Sequence, residues 1–111
     1  MAEIGDIYKV IIYYRGTSGR GKSRPVLILN IQGGFYTIVE ITGTPPKNPP
    51  KYYDLAKEEI HDWQSYNLDR PSWIKCTNRH VIENPRLYQK IGSMKDTDEF
   101  ERIVDRVNEY I

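Results

Sequence analysis

The sequence predicts a mainly β fold, a small barrel or rolled sheet with a short middle helix and a C-terminal amphipathic helix. Three observations carry that prediction. Short runs dense in Ile, Val and Tyr recur at Ile7 to Tyr14, Pro25 to Asn30 and Phe35 to Thr42, each bounded by glycine-rich or polar residues. The hydrophobic period becomes helical only near the end, where Phe100, Ile103, Val104, Val107 and Ile111 fall on one face. A chain of 111 residues suffices for one buried core and is short for two, so a single domain spanning residues 1–111 is expected.

Taken in order, the first two apolar runs are separated by Arg15 to Arg24, which is long for a hairpin and therefore a candidate functional loop. The break at Gln32-Gly-Gly34 is short enough for a tight turn between the second and third strands. Thr44 to Pro50 contains four prolines, which remove backbone donors and fix φ, so it should cross the surface as an extended connector. From Leu55 to Leu68, the acids and the positions of Leu55, Ile60, Trp63 and Leu68 suit a short helix or turn. Pro71 disfavours helix at Arg70 and ends that element.

Ser72 to Cys76 and His80 to Ile82 read as two strands around a polar stretch, and Tyr88 to Ile91 as another, closed by Gly92. Asp96, three residues before Glu99, reads as a capping box for the last helix. Short strands followed by one helix are most simply arranged as a barrel or rolled sheet that the helix covers.

Charge divides the chain. The net charge is +1, but residues 1–53 carry 7 Lys or Arg against 3 Asp or Glu, and the remainder 9 against 12. Within the basic part, Arg15-Gly-Thr-Ser-Gly-Arg-Gly-Lys-Ser-Arg24 holds four positive charges and no acid. Such a loop suits a polyanion, and equally suits a solvated hairpin connection.

The single Cys76 excludes an intrachain disulfide framework and leaves too few soft ligands for a zinc site, so no metal or other cofactor is implied. No apolar stretch is long enough to span a membrane and the first residues lack a signal-peptide pattern, so a cytoplasmic protein is expected.

Gly5-Asp6-Ile7-Tyr8, Lys22-Ser-Arg-Pro-Val-Leu-Ile-Leu29 and Val39-Glu-Ile-Thr42 resemble, in order and spacing, the MazF/PemK family of type II toxin–antitoxin toxins. Ile60-His-Asp-Trp63, Leu68-Asp-Arg-Pro-Ser-Trp-Ile-Lys75 and Lys90-Ile-Gly92 continue the resemblance over nearly the whole chain. It is the ordered set that is specific, since each motif alone occurs widely. The resemblance implies an SH3-like barrel, a homodimer, cleavage of single-stranded mRNA at short sequences, and inhibition by a cognate antitoxin peptide.

Metal-independent cleavage of this kind uses the ribose 2′-hydroxyl as nucleophile and leaves 2′,3′-cyclic phosphate and 5′-hydroxyl ends. Arg24 matches the family's catalytic arginine, and a guanidinium suits a phosphate because it stays cationic and offers a planar fork of donors. Thr42 matches the family's threonine at the end of the third strand, where a hydroxyl can orient a proton but is a poor base alone. Arg24 also has the plain reading of a strand-end ion pair, and Thr42 that of a strand packing residue.

Arg15, Arg20, Lys22 and Ser23 in the first loop, with Lys75, Thr77 and His80 downstream, are the candidate RNA-binding residues. In some relatives the positions of Lys75 and Thr77 carry an arginine and a carboxylate that act as acid and base, so the proton-transfer group here is unassigned. His61, beside Glu58, Glu59 and Asp62, reads as a solvated histidine, and Cys76 as a small buried strand residue. A non-catalytic RNA- or peptide-binding barrel and a topoisomerase-poisoning toxin of the same fold remain as alternatives.

Overall fold

The computed structural model describes residues 2–13 and 21–110. Six strands form one antiparallel sheet: β1 (Asp6–Tyr13), β2 (Gly21–Gln32), β3 (Phe35–Thr42), β4 (Lys57–Ile60), β5 (Ser72–Glu83) and β6 (Leu87–Ser93). Their spatial order is β4-β5-β3-β2-β1-β6, and a C-terminal helix, α1 (Asp98–Asn108), follows the sheet. The sheet is open, because β4 and β6 pair on one side only, so the barrel expectation is met in its strand content and not in closure.

β2 and β3 turn tightly through Gly33 and Gly34, with Gln32 opposite Phe35. Both glycines have positive φ, +57° and +84°, the conformation of the favoured two-residue hairpin turns and one that costs glycine little. The proline-rich segment from Thr44 to Pro50 contains no regular structure, as its lost donors require.

The middle helix is a correction. Residues 52–54 and 63–66 form single 3₁₀ turns, and between them Lys57–Ile60 is the edge strand β4, paired with β5 from Lys75 to Ser72. The acids that suggested a helix are satisfied from outside: Glu58 accepts from Arg102 and Arg106 of α1. The expected break within β5 is also absent; Ser72–Glu83 is one strand carrying a large bulge, and β6 runs through Gly92 to Ser93.

The last helix is where the period placed it, but its cap differs. Thr97 is the N-cap, its Oγ1 accepting from the Phe100 amide at 3.0 Å, while Asp96 sits outside at positive φ. Glu99 turns away to accept from the His61 and Asp62 amides, the Tyr66 hydroxyl and Arg102. That places the 63–66 turn against the helix.

Alternation along the strands sorts the apolar residues onto two faces. Ile7, Leu27, Val39, Ile41 and Ile74 pack with Ile103 and Val107 of α1 and with Ile60 and Met94 in the main core. Val10, Val26, Ile28 and Ile38 form a second, smaller cluster on the other face, flanked by Tyr8, Tyr36, Ile82 and Leu87. Burying a side chain of this kind contributes about 1.5–3 kcal/mol, so the helix-covered face carries most of the stabilisation.

Candidate functional site

The face away from α1 loses its apolar character toward one end. Arg24 continues the Val26 and Ile28 row of β2, and Glu40 and Thr42 continue the Ile38 row of β3. Val26 lies opposite Glu40, so the same register carried two residues further brings Arg24 and Thr42 side by side. Pro25 is accommodated beside Lys9 of β1 while Arg24 lies opposite Val10.

Arg24, Ile41 and Thr42 line two adjoining hollows and form the ridge between them. The first, of about 480 Å³, also takes in Lys9, Gly43, Leu68, Asp69, Arg70, Ser72, Gln89 and Lys90. The second, of about 350 Å³, takes in Glu40, Thr44, Tyr53, Lys57, Lys75, Thr77 and Asn78. Together they gather six cationic side chains, Lys9, Arg24, Lys57, Arg70, Lys75 and Lys90, against the two acids Glu40 and Asp69. A groove of that balance attracts polyanions.

The chemistry of the ridge is specific. Arg24 Nε is buried and makes no hydrogen bond among the described residues. A buried donor without an acceptor is costly, and an anionic oxygen in the groove would relieve that cost. Thr42 Oγ1 accepts from the Thr44 amide at 3.1 Å, which fixes the hydroxyl and leaves its own hydrogen to donate.

A bulge in β5 completes the second hollow. Val39 pairs with Arg79 and the next residue, Glu40, with Lys75, so Cys76, Thr77 and Asn78 are extra on β5 at that point. Asn78 Nδ2 donates to Glu40 Oε2 at 3.3 Å, and Thr77 Oγ1 to Asn78 Oδ1 at 3.3 Å. His80 Nε2 lies 2.7 Å from Glu40 Oε2. Glu40 is 1% exposed, whereas the His80 side chain is about one-third exposed.

The rim is held from below. Lys57 forms an ion pair with the buried Asp54 at 3.0 Å and donates to the Thr44 carbonyl at 3.2 Å. Burial raises the proton affinity of Asp54, but hydrogen bonds from the Lys51 and Lys47 amides and the Lys57 ammonium outweigh it and hold the carboxyl at about 2. On the first hollow, Lys90 reaches the buried Asp6 at 3.6 Å. Burial pushes the Cys76 thiol up to about 11, which keeps it protonated and inert at neutral pH.

The candidate residues divide accordingly. Arg24, Thr42, Lys75 and Thr77 meet in one groove, and His80 joins it through Glu40. Lys22 and Ser23 are exposed on β2 but line neither hollow, and Arg15 and Arg20 lie outside the described residues. His61 is exposed, its backbone amide held by Glu99. Glu40 escaped notice as a site residue, although it is the one acid between Asp6 and Asp54 and stands in a run of buried β-branched residues. Lys9, Tyr53, Lys57 and Lys90 have no local signal, because elements distant in sequence bring them to the groove.

No curated protein matches the chain in a sequence search. Among solved structures, the Mycobacterium tuberculosis toxin MazF-mt6 shares the fold with a TM-score of 0.58 and 19% identity, over 93% of this chain and 94% of that one. A family model described as PemK-like, MazF-like toxin of type II toxin-antitoxin system matches residues 3–111. With the model spanning every strand, the basic groove and the closing helix, the chain belongs to the PemK-like, MazF-like toxins of type II toxin–antitoxin systems.

Proposed function

We propose that the protein is a cytoplasmic toxin that cleaves single-stranded mRNA without a metal ion, at the groove divided by Arg24 and Thr42. The 2′-hydroxyl attacks the adjacent phosphorus and the 5′ oxygen leaves, giving 2′,3′-cyclic phosphate and 5′-hydroxyl ends. Arg24 neutralises the phosphate and Thr42 donates to one of its oxygens. The observation that carries this reading is the buried Arg24 Nε, without a hydrogen-bond partner among the described residues, on a ridge lined by cations from several strands. The remaining cations hold the flanking phosphates, and Tyr53 offers an aromatic surface at the rim for an unpaired base.

The partners follow from the family and the surface. An acidic antitoxin peptide would occupy the same basic groove and compete with RNA through charge. A second copy of the chain would cover exposed apolar side chains of the sheet, among them Phe35, Val81 and Tyr88.

The test is cleavage of a long single-stranded RNA in EDTA by the purified protein and its variants. Arg24→Ala should lower the rate about 10²–10³-fold, the cost of deleting one donor aimed at developing charge, and Thr42→Ala should lower it less. RNA binding without cleavage by the unmodified protein would favour a non-catalytic RNA-binding protein. Unimpaired cleavage by Arg24→Ala would remove the assignment of the groove.

A further inference from the structure

We infer that Glu40 is the base that takes the 2′-hydroxyl proton, with His80 as the positioning residue that returns that proton to solvent. This rests on the ribonuclease reading above and supplies its missing proton acceptor. Glu40 is the carboxylate of the hollow that Arg24, Thr42 and Lys75 line, and it stands one strand position, on the same face, from Thr42.

Three features separate it from an ordinary buried acid. It lies in the wall of a cationic groove rather than within an apolar cluster. The β5 bulge brings both Asn78 and His80 onto its Oε2, which orients the carboxylate as a supporting pair orients a catalytic base. Its partner His80 borders a separate hollow with Arg79, Arg86 and Tyr88, so a proton arriving on the enclosed Glu40 has a route of 2.7 Å to a side chain that solvent reaches.

The O2′–H proton passes to Glu40 as the O2′–P bond forms, the P–O5′ bond breaks, and the Lys75 ammonium gives its proton to the leaving O5′. Glu40 then transfers its proton through His80 to water, and Lys75 regains one from water. The charged and titratable groups that face Glu40 are Arg24 from β2, Lys57 from β4, Lys75 and His80 from β5, and Tyr53 from the 52–54 turn. His80 Nε2 lies at hydrogen-bond distance from the carboxylate oxygen.

The test is the pH dependence of single-turnover cleavage by the full-length protein, with RNA affinity and thermal melting measured alongside. Wild type should show an acidic limb. Glu40→Gln, which keeps the shape and can still bond Asn78, should fall at least about 10²-fold, lose that limb, and bind RNA within threefold of wild type. His80→Gln should slow cleavage and shift the acidic limb, since the side chain 2.7 Å from Glu40 Oε2 is the proton's route to solvent.

Cleavage by Glu40→Gln within threefold of wild type, or an unmoved limb in His80→Gln, would overturn the inference while leaving the ribonuclease reading intact, provided that Arg24→Ala stays inactive. A wild-type protein that cleaves no RNA would overturn both. Should Glu40→Gln not fold, the limb in His80→Gln decides, because the His80 side chain is about one-third exposed and lies outside both apolar clusters.

Discussion

Asp54 shows how one buried side chain supports the rim of the groove. It accepts from the Lys47 and Lys51 amides and pairs with Lys57, tying the proline-rich connector to the rim that carries Tyr53. Its carboxyl titrates at about 2 in the folded protein against an ordinary value of 3.8. A carboxyl held below its unfolded value stabilises the fold above about pH 4, and that contribution is lost as pH falls toward 2. Asp54→Asn should therefore be less stable than the unmodified protein at neutral pH, and the gap should narrow below pH 4 in urea melts recorded from pH 7 to 2. A gap of constant size would show that the charge is not what matters there.

At the same scale, Arg24 and Thr42 were legible in the sequence because each stands at the end of an apolar run, within a motif that fixes which residue it is. Glu40 was not. Its surroundings depend on Asn78 and His80, some forty residues away, and on a three-residue bulge that leaves no local mark in the chain. Long-range pairing decides such cases, and neither composition nor period records it.

Among the elements, the first three strands were legible where apolar runs alternate with glycine-rich punctuation, and α1 was legible from its period. The acids and the spacing of Leu55, Ile60, Trp63 and Leu68 suit a short helix or turn, and Lys57-Glu-Glu-Ile60 has poor strand propensity, yet it forms β4. Its pairing with β5 and the grip of Arg102 and Arg106 on Glu58 override that preference. The cap of α1 moved one residue, from Asp96 to Thr97, because Glu99 is drawn to the turn at residues 63–66.

β6 supplies a sharper test of packing between elements. A Cβ at Gly92 would stand 2.1 Å from the Tyr66 carbonyl oxygen, and backbone cannot move aside as a flexible side chain can. Gly92→Ala should destabilise by about 1–3 kcal/mol, read as a lower urea midpoint with an unchanged slope. A midpoint equal to that of the unmodified protein would mean that β6 does not approach the 63–66 turn so closely.

At the scale of the whole molecule, the two faces of one sheet divide the work. The face under α1 holds the larger apolar core, and Arg24, Glu40 and Thr42 of the opposite face reach a groove whose cations come from β1, β2, β4, β5 and β6 and from the loop before β5. The mainly β class and the final helix follow from patterning; the open edges do not, because closure depends on whether β4 and β6 meet across space. Among the described residues, no helix is long and apolar enough to cross a membrane.

In the proposed reaction, the ridge of Arg24 and Thr42 cleaves RNA through the ribose 2′-oxygen. Mass spectrometry of the fragment ends, after incubation with a long single-stranded RNA in EDTA, tests it most directly. The account predicts 2′,3′-cyclic phosphate on one fragment and 5′-hydroxyl on the next, absent with Arg24→Ala; fragments bearing 5′-phosphate, or RNA left intact, would contradict it.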